Sequence, residues 1–556
     1  MSSRPSPALV AQRSVSRLPR LALVLFAAAY LLPGVFGRDP WRNEDLAAYG
    51  VMSAIAEGRT GWLAPLLGGM PVQSEPLAHW LGALSIIGLS PWVDSALAAR
   101  IPFAVLLALT LAFTWYACFH FARTEAAQPV AFAFGGEASP VDYARAIADG
   151  ALLALIATLG LLQPGHETTP ELMQLFGMSM ALWALAAAPF RVLAARLGIV
   201  GSTLVLACSG APAVAVLVGA AGSIITWRSG LLAVRAFAMW PALAAAVAAA
   251  AAWALGVWAW KVQSLPEAAA WFSLLKTWAW YFWPSCLFGL WTLWRWRRHW
   301  NRRHLAVPLA LCLIGLGVST AMGGHDRALM LALPGLAVLA AFALPTMKRS
   351  LTAAIDWFSV FFLSGVALFV WAMYVAMQTG TPARWSANVA RLLPGFEPQF
   401  SGLALACAAA GTAAWVALVH WRTSRRQHAL WKSLVLPAGG VALFWLLVMT
   451  LWLPPADFAR SLRPLVERGV RHMGSPPRVA ARDASPSQVA ALEVFGRFRV
   501  DARPLGPAYS GDCPVMVRFE RITASLPQPG WRLVGAERRA RESSELMSIY
   551  RRIDSR

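Results

Sequence analysis

A chain of 556 residues that is 58% hydrophobic and only 13% charged, with a mean hydropathy of +0.54, is not a soluble protein of three or four domains. Its composition is that of a polytopic membrane protein, and its 28 tryptophans fit, because indole collects at the two membrane interfaces. The net charge of +21 admits nucleic acid, anionic lipid or topology as its cause until the cations are placed along the chain.

The basic N-terminus (Arg4, Arg13, Arg17, Arg20) and the apolar run from Leu21 to Phe36, which has no small-residue cleavage site, predict an uncleaved signal anchor. The stretch from Gly37 to about Ser95 contains charges and short amphipathic segments but no spanning run, and is the longest loop between helices. Further apolar segments centre near residues 110, 156, 181, 203, 219, 247, 286, 313, 337, 365, 411 and 443, so about 13 transmembrane helices are expected. Ser209-Gly210-Ala211-Pro212 reads either as a tight turn between two of them or as a kink in one. Cys118, Cys208, Cys286, Cys312 and Cys407 sit in apolar runs and only Cys513 lies elsewhere, which leaves no disulfide framework and no cysteine metal site.

With a cytoplasmic N-terminus, one alternation places the clusters Arg295, Arg297, Arg298, Arg302, Arg303 and Arg422, Arg425, Arg426, Lys432 inside. The inside loops then hold 21 of the 48 Lys and Arg residues and the outside loops 9, in line with the positive-inside rule. The other 18 follow Pro454, on the outer side after an odd number of helices. No cluster calls for nucleic acid; Arg295-Trp296-Arg297-Arg298 is interfacial anchoring.

Residues 1–453 thus form the membrane domain with its large first loop at 37–97, and residues 454–556 a small C-terminal α/β domain. In the latter, β-like runs occur at Arg478 to Ala481, Val515 to Ile522, Trp531 to Val534 and Met547 to Arg551. Ser485-Pro486 predicts a helix through about Phe495, capped by Ser485. The tail has no P-loop, dinucleotide glycine pattern or His/Cys metal spacing.

Chemistry is expected where scarce charges gather on the outer side. The first loop carries Asp39, Glu44, Asp45, Glu57, Glu75 and Asp94. From Glu44 on, Leu46, Tyr49, Met52 and Ile55 recur every three residues, so an amphipathic helix lying on the membrane surface is predicted, with Asp45 at its start. A carboxylate there is placed to take a proton from a hydroxyl; equally, Asn43 and Asp45 are suited to capping the helix. Glu75 before Pro76 starts another helix, as a second functional carboxylate or as a cap. His166-Glu167-Thr168-Thr169-Pro170-Glu171 puts two carboxylates and a histidine in one short loop, to position a substrate or simply to form a polar turn; the spacing does not argue for a metal. Of the few outer cations, Arg100, Lys261, Lys276 and Arg327 are candidates to hold a lipid phosphate, with snorkelling at helix ends as the alternative.

The first loop resembles the glycosyltransferase C superfamily, in particular the aminoarabinose-transferase and protein-mannosyltransferase-like group of family 39. The matching residues are Asp45, Tyr49, Gly61-Trp62-Leu63-Ala64-Pro65, Gln73-Ser74-Glu75-Pro76 with Trp80, and Arg100-Ile101-Pro102. Two departures stand out: the family's Asp-Glu pair is here Asp45-Leu46, with the acidic neighbour Glu44 in front, and its Glu-Lys-Pro glutamate falls on Gln73 unless the register slips by two to Glu75. The family's acidic residue in the second outside loop most nearly matches Glu171, with Glu167 close by. The resemblance implies transfer of a sugar, with inversion, from a polyprenyl-phosphate donor to a lipid A-like or protein acceptor at the periplasmic face of the bacterial inner membrane. Asp45 would be the general base, assisted by Glu44, with Tyr49, Glu75, His166, Glu167 and Glu171 positioning donor and acceptor and no cofactor required. Two other readings are a lipid-linked sugar transporter or flippase, against which the spans lack charges and matching broken helices, and a non-catalytic polyprenyl-glycan-binding envelope protein, prompted by the altered motifs.

Overall fold

The computed structural model describes residues 6–41, 43–72, 75–229, 232–258, 266–267, 270–423, 429–474, 476–504, 513–521, 530–539 and 545–553. The chain is mainly helical, with a small mixed sheet near its C-terminus. The first eight helices we call α1 (Arg20–Leu31), α2 (Glu44–Ala56), α3 (Pro76–Leu89), α4 (Ser95–Ala122), α5 (Pro140–Ala157), α6 (Pro170–Ala187), α7 (Val192–Cys208) and α8 (Pro212–Trp227). Each predicted apolar centre falls within or at the edge of a helix, but helix and span are not the same count. Seven described helices are long and apolar enough to cross a membrane, or up to eight if α5 and the bent segment after it count as one. α1, α7 and α8 have 12, 17 and 16 residues, short of the roughly 20 that a straight span needs. The Ser209–Ala211 segment is a turn, with Gly210 at φ +87°, and not a kink.

The core of the bundle is α4, α5 and α6 packed around Leu333–Ala341, in a segment buried along almost its whole length. A separate apolar cluster joins Arg349–Thr379, Gly402–Thr423 and Lys432–Leu451 through Ala367, Val370, Trp415 and Leu443.

The C-terminal sheet has five strands, β1 (Arg478–Arg482), β2 (Arg499–Asp501), β3 (Val515–Arg521), β4 (Trp531–Arg538) and β5 (Glu545–Arg552), in the order β2-β1-β3-β5-β4. β1 runs parallel to β2 and β3, while β5 is antiparallel to β3 and β4. Between β1 and β2 the expected helix forms as Pro486–Val494, closed by a capping box of Ser485 with Gln488. Alternation along the strands turns Val479, Ala481, Val515, Val517, Met547 and Ile549 to the side continuous with the main core, and Ala480, Met516 and Tyr550 to the other.

The position of this module changes the reading of α2. The helix is buried on nearly all sides, from Asp45 to Ile55, and does not lie on a membrane surface. It packs against α3 and against the helix Pro486–Val494. A three-residue apolar repeat makes the same stripe whether lipid or protein covers it, and here protein does. At Gly50 the approach is so close that a Cβ would stand 2.5 Å from Cβ of Ala490. Gly50→Leu is therefore expected to lift the module from the loop and cost about 1–3 kcal/mol, read as a lower thermal midpoint in detergent and new proteolysis near residue 475; an unchanged midpoint would count against this packing.

Candidate active site

The site is built where the segment after α1 meets the loop before α6. Asp45 lies in the first turn of α2 and is fully buried. It is not a cap, and neither is Asn43, whose side chain accepts no capping hydrogen bond. Instead each oxygen of Asp45 has two donors. Oδ2 accepts from the Trp41 amide at 3.0 Å and from Arg38 Nη1 at 2.9 Å; Oδ1 accepts from the Thr168 amide at 2.7 Å and its hydroxyl at 2.9 Å. Arg38, buried as well, also donates to the carbonyls of Gly34 at 2.8 Å and His166 at 2.6 Å and lies over the Trp41 ring at 4.8 Å. Burial alone would raise the Asp45 pKa, but the charges of Arg38 and Arg100 and the amides of Thr168 and Trp41 outweigh it and hold the carboxyl below its usual range.

A folded pKa below the unfolded one stabilises at neutral pH, and that contribution drains away as pH falls through the folded value, below about pH 4. Glu167 has the opposite sign: burial is the main cause of its raised pKa, Asp45 adds to it, and Arg327 opposes it. Asp45→Asn is expected to flatten the acid branch of a thermal-stability profile between about pH 5 and 3; a branch as steep as the wild type's would show that Asp45 is not held as an anion.

Beside this pair stands a second. Arg327 Nη2 meets Glu167 Oε2 at 2.5 Å, and its Nε meets Glu44 Oε2 at 3.3 Å. Gln163 donates to Glu167 Oε1 at 2.8 Å. The guanidinium of Arg100 is buried, with Nη1 on the Val35 carbonyl at 3.2 Å. One corner of each cation, Arg100 Nη2 and Arg327 Nη1, is buried without a hydrogen-bond partner among the described residues. Such orphaned donors are costly in a dry interior and point to a ligand that satisfies them.

The predicted residues separate accordingly. Asp45, Glu44, Glu167, Arg100 and Arg327 come together. His166 is adjacent, but its two ring nitrogens face the carbonyls of Leu162 and Tyr30 at 2.6 and 2.8 Å, so it has none left for a ligand. The Tyr49 hydroxyl is bound to Ser95 at 2.8 Å. Glu75 packs against the α7–α8 turn, where a Cβ on Gly210 would stand 2.6 Å from its Cγ. Lys276 is exposed on the helix Ala270–Tyr281 and makes no ion pair among the described residues; Lys261 lies outside the described residues. The segment around Lys276 is helical, so its side chain follows the exposed face of that helix and not the site. Arg38, Thr168, Trp41 and Tyr281 were not anticipated. The Tyr281 hydroxyl is buried without a hydrogen-bond partner among the described residues and feels the charges of Asp326, Arg327 and Glu167. An arginine seven residues before Asp45 was the one signal legible for Arg38; Thr168 acts partly through its backbone, which sequence does not display.

Next to the cluster a cavity of about 420 Å³ opens between α6, α8 and the helix Arg303–Ala321. Its walls are apolar, with Val214, Leu217, Ile314 and Leu331, and its polar groups are Glu171, Gln174 and His325. No group of three or more His, Cys, Asp or Glu residues suited to a metal occurs among the described residues.

Two solved structures of ArnT from Cupriavidus metallidurans share this architecture, as the first-loop motifs led one to expect. The one bound to undecaprenyl phosphate superposes with a TM-score of 0.62 at 14% identity, over 97% of this chain and 99% of that one. The apo form gives 0.61 at 14% identity, over 95% and 98%. No protein-family model and no curated protein sequence matches the chain.

Proposed function

We propose that this protein is a polyprenyl-phosphate-sugar-dependent glycosyltransferase of the bacterial inner membrane, with its site and its C-terminal module on the periplasmic side and its N-terminus in the cytoplasm. The observation that carries this reading is the conjunction of two unsatisfied buried guanidinium corners with an apolar cavity, in a chain sharing its fold with a protein solved with undecaprenyl phosphate. An isoprenoid tail suits the apolar walls, and a phosphate suits Arg100 and Arg327. In the reaction the acceptor hydroxyl attacks the anomeric carbon while the bond to phosphate breaks on the opposite face, inverting that centre. Arg327, held between Glu44 and Glu167, and Arg100 supply the positive charge that stabilises the departing phosphate in this reading. A carboxylate takes the hydroxyl proton, and no cofactor enters these steps. The acceptor is a lipid A-like lipid or a protein.

The test is mass spectrometry of envelope lipids and glycoproteins from cells with and without the gene. A sugar adduct that depends on the gene and on a polyprenyl-phosphate sugar supports the reading. Movement of a lipid-linked sugar across the membrane with no glycosylated product would establish the transporter instead, and binding of undecaprenyl phosphate with neither would establish a non-catalytic binder.

A further inference from the structure

A second group of buried, unsatisfied donors gathers at the opposite end of the bundle from the carboxylate cluster. The helix Arg303–Ala321 reaches both places: Ala321 lines the cavity beside the site, and the 19 residues of the helix rise about 28 Å between there and Arg303. The sequence leading into it, Arg295-Trp296-Arg297-Arg298-His299-Trp300-Asn301-Arg302-Arg303-His304, has five arginines and no acidic residue. None of the five forms an ion pair among the described residues.

The tryptophans around this run sort by depth. Trp294 and Trp300 are exposed, as rings at a membrane interface are, and Arg297 lies over Trp294 at 5.6 Å. Trp296 is fully buried instead, and its indole N–H donates to the Phe342 carbonyl at 3.1 Å, which fixes the ring. The His299 and His304 rings both stand edge-on to it, with centroids 5.9 and 5.3 Å away, and His304 also meets Phe342 at 5.2 Å. His304 is 1% exposed, whereas His299 and Arg303 are only partly buried and keep the corner open to the surface. Neither nitrogen of either imidazole has a hydrogen-bond partner among the described residues; nor do Nε and Nη1 of Arg303, whose Nη2 donates to the Leu185 carbonyl. The helix adds backbone donors. It begins with no side-chain cap and no acidic residue in its first turn, so its first amides are open, and His304 at the second position leans back over them as side chains on a helix do. So many unmet donors are costly away from water, and a group with several acceptor oxygens and a negative charge removes the cost.

We propose that this corner binds the phosphate of an anionic phospholipid in the leaflet opposite the carboxylate cluster, which is the cytoplasmic leaflet in the orientation proposed above. The phosphate takes Arg303, one N–H from each imidazole and the helix N-terminus, with the exposed Arg302 at its edge. A metal ion is the wrong occupant, because a guanidinium shares the corner and no carboxylate does. Position favours a lipid over free phosphate. The corner lies at the mouth of a membrane-length helix, and Leu290 and Trp294, exposed on the helix Ser285–Arg295, give the tails an apolar track. Basic pockets between membrane helices on the cytoplasmic side suit acidic headgroups. No residue of the corner belongs to the candidate active site, so its occupancy stands apart from the transfer reaction.

The experiment uses the full-length chain, purified in neutral detergent and stripped of lipid. Its thermal midpoint is followed against added phosphatidylglycerol, cardiolipin, phosphatidylethanolamine and inorganic phosphate, and native mass spectrometry counts the lipids that each chain retains. Phosphatidylglycerol and cardiolipin are expected to raise the wild-type midpoint with one lipid retained per chain; phosphatidylethanolamine and phosphate at equal concentration are not. Arg303→Gln and His304→Phe should each raise the half-saturating lipid concentration about tenfold or more, the size of one lost hydrogen bond to a charged group. His304→Phe keeps an aromatic ring between Trp296 and Phe342, so it tests the donor and not the packing. Arg303→Lys, which keeps the charge without the fork, should fall in between. Arg297→Gln, at an exposed arginine of the same run, should stay within about threefold of wild type. An equal rise with phosphatidylethanolamine, or with phosphate alone, would overturn the lipid site, the latter in favour of a soluble-phosphate site. Equal losses in Arg297→Gln and Arg303→Gln would reduce it to diffuse surface charge, and an unchanged half-saturation in Arg303→Gln would remove it. If neither variant at the corner yields folded protein, the wild-type comparison of anionic with neutral lipid decides.

Discussion

Arg38→Met is expected to be among the most damaging single substitutions in this protein, costing about 3–5 kcal/mol, the range found when one member of a buried ion pair is removed. It would leave the Asp45 carboxylate charged and buried with one donor fewer, and would strip the carbonyls of Gly34 and His166 of their partner. That exceeds half of the stability of many proteins, so the variant should give little folded material in detergent and a sharply lower thermal midpoint. The double variant Arg38→Met, Asp45→Leu should recover part of the loss, because an apolar pair removes the stranded charge. If Arg38→Met melts within a degree or two of wild type, Asp45 is satisfied by Thr168 and Trp41 alone and the pair is not the keystone described above.

The second large effect is on rate. Arg327→Met should reduce sugar transfer about 10²–10³-fold, the scale of losing one charged donor aimed at a developing anion. It would also leave Glu44 and Glu167 facing each other without the cation between them, so the informative partner is Arg327→Lys. Lysine keeps the charge but not the fork that spans both carboxylates with a corner to spare, and an intermediate rate is expected. Initial rates over a range of donor concentrations separate the two roles: a fall in kcat with KM nearly constant fits stabilisation of the leaving phosphate, whereas turnover of Arg327→Met within threefold of wild type would exclude it.

Local signals made the C-terminal module legible. Ser485-Pro486 with Gln488 at the third position specifies a helix start through short-range hydrogen bonds, and the strand runs carry their alternation in a few residues. The first-loop motifs located Asp45, and the scarcity of outer cations drew notice to Arg100 and Arg327. What was not legible depends on long-range contact. The partner of Asp45 across the site is the Thr168 amide, and backbone groups have no letter in the sequence. Whether the stripe of α2 faces lipid or Ala490 is decided by a helix more than 400 residues later. The expected thirteen spans counted apolar segments, a quantity that hydropathy measures well, whereas span length depends on where each helix stops, as at Gly210.

The residues that hold the first loop come from opposite ends of the chain. The Asp39 amide and the Trp41 indole both donate to Asp457, 418 and 416 residues away, and Asp39 pairs with Arg463 through a fork at 2.6–3.1 Å. Trp41 lies between Arg38 at 4.8 Å and Arg460 at 4.7 Å. At a synthesis rate of about 5–20 residues per second, the loop waits roughly 20–80 s after leaving the ribosome for these partners to be made. The site is thus finished by the last quarter of translation, and a chain terminated before Asp457 would carry Asp45 and its neighbours yet lack the strap that sets Trp41 against Arg38. Nonsense and frameshift alleles that end the chain before Asp457 should therefore be as inactive as early ones, although nearly every residue of the chemistry has by then been made.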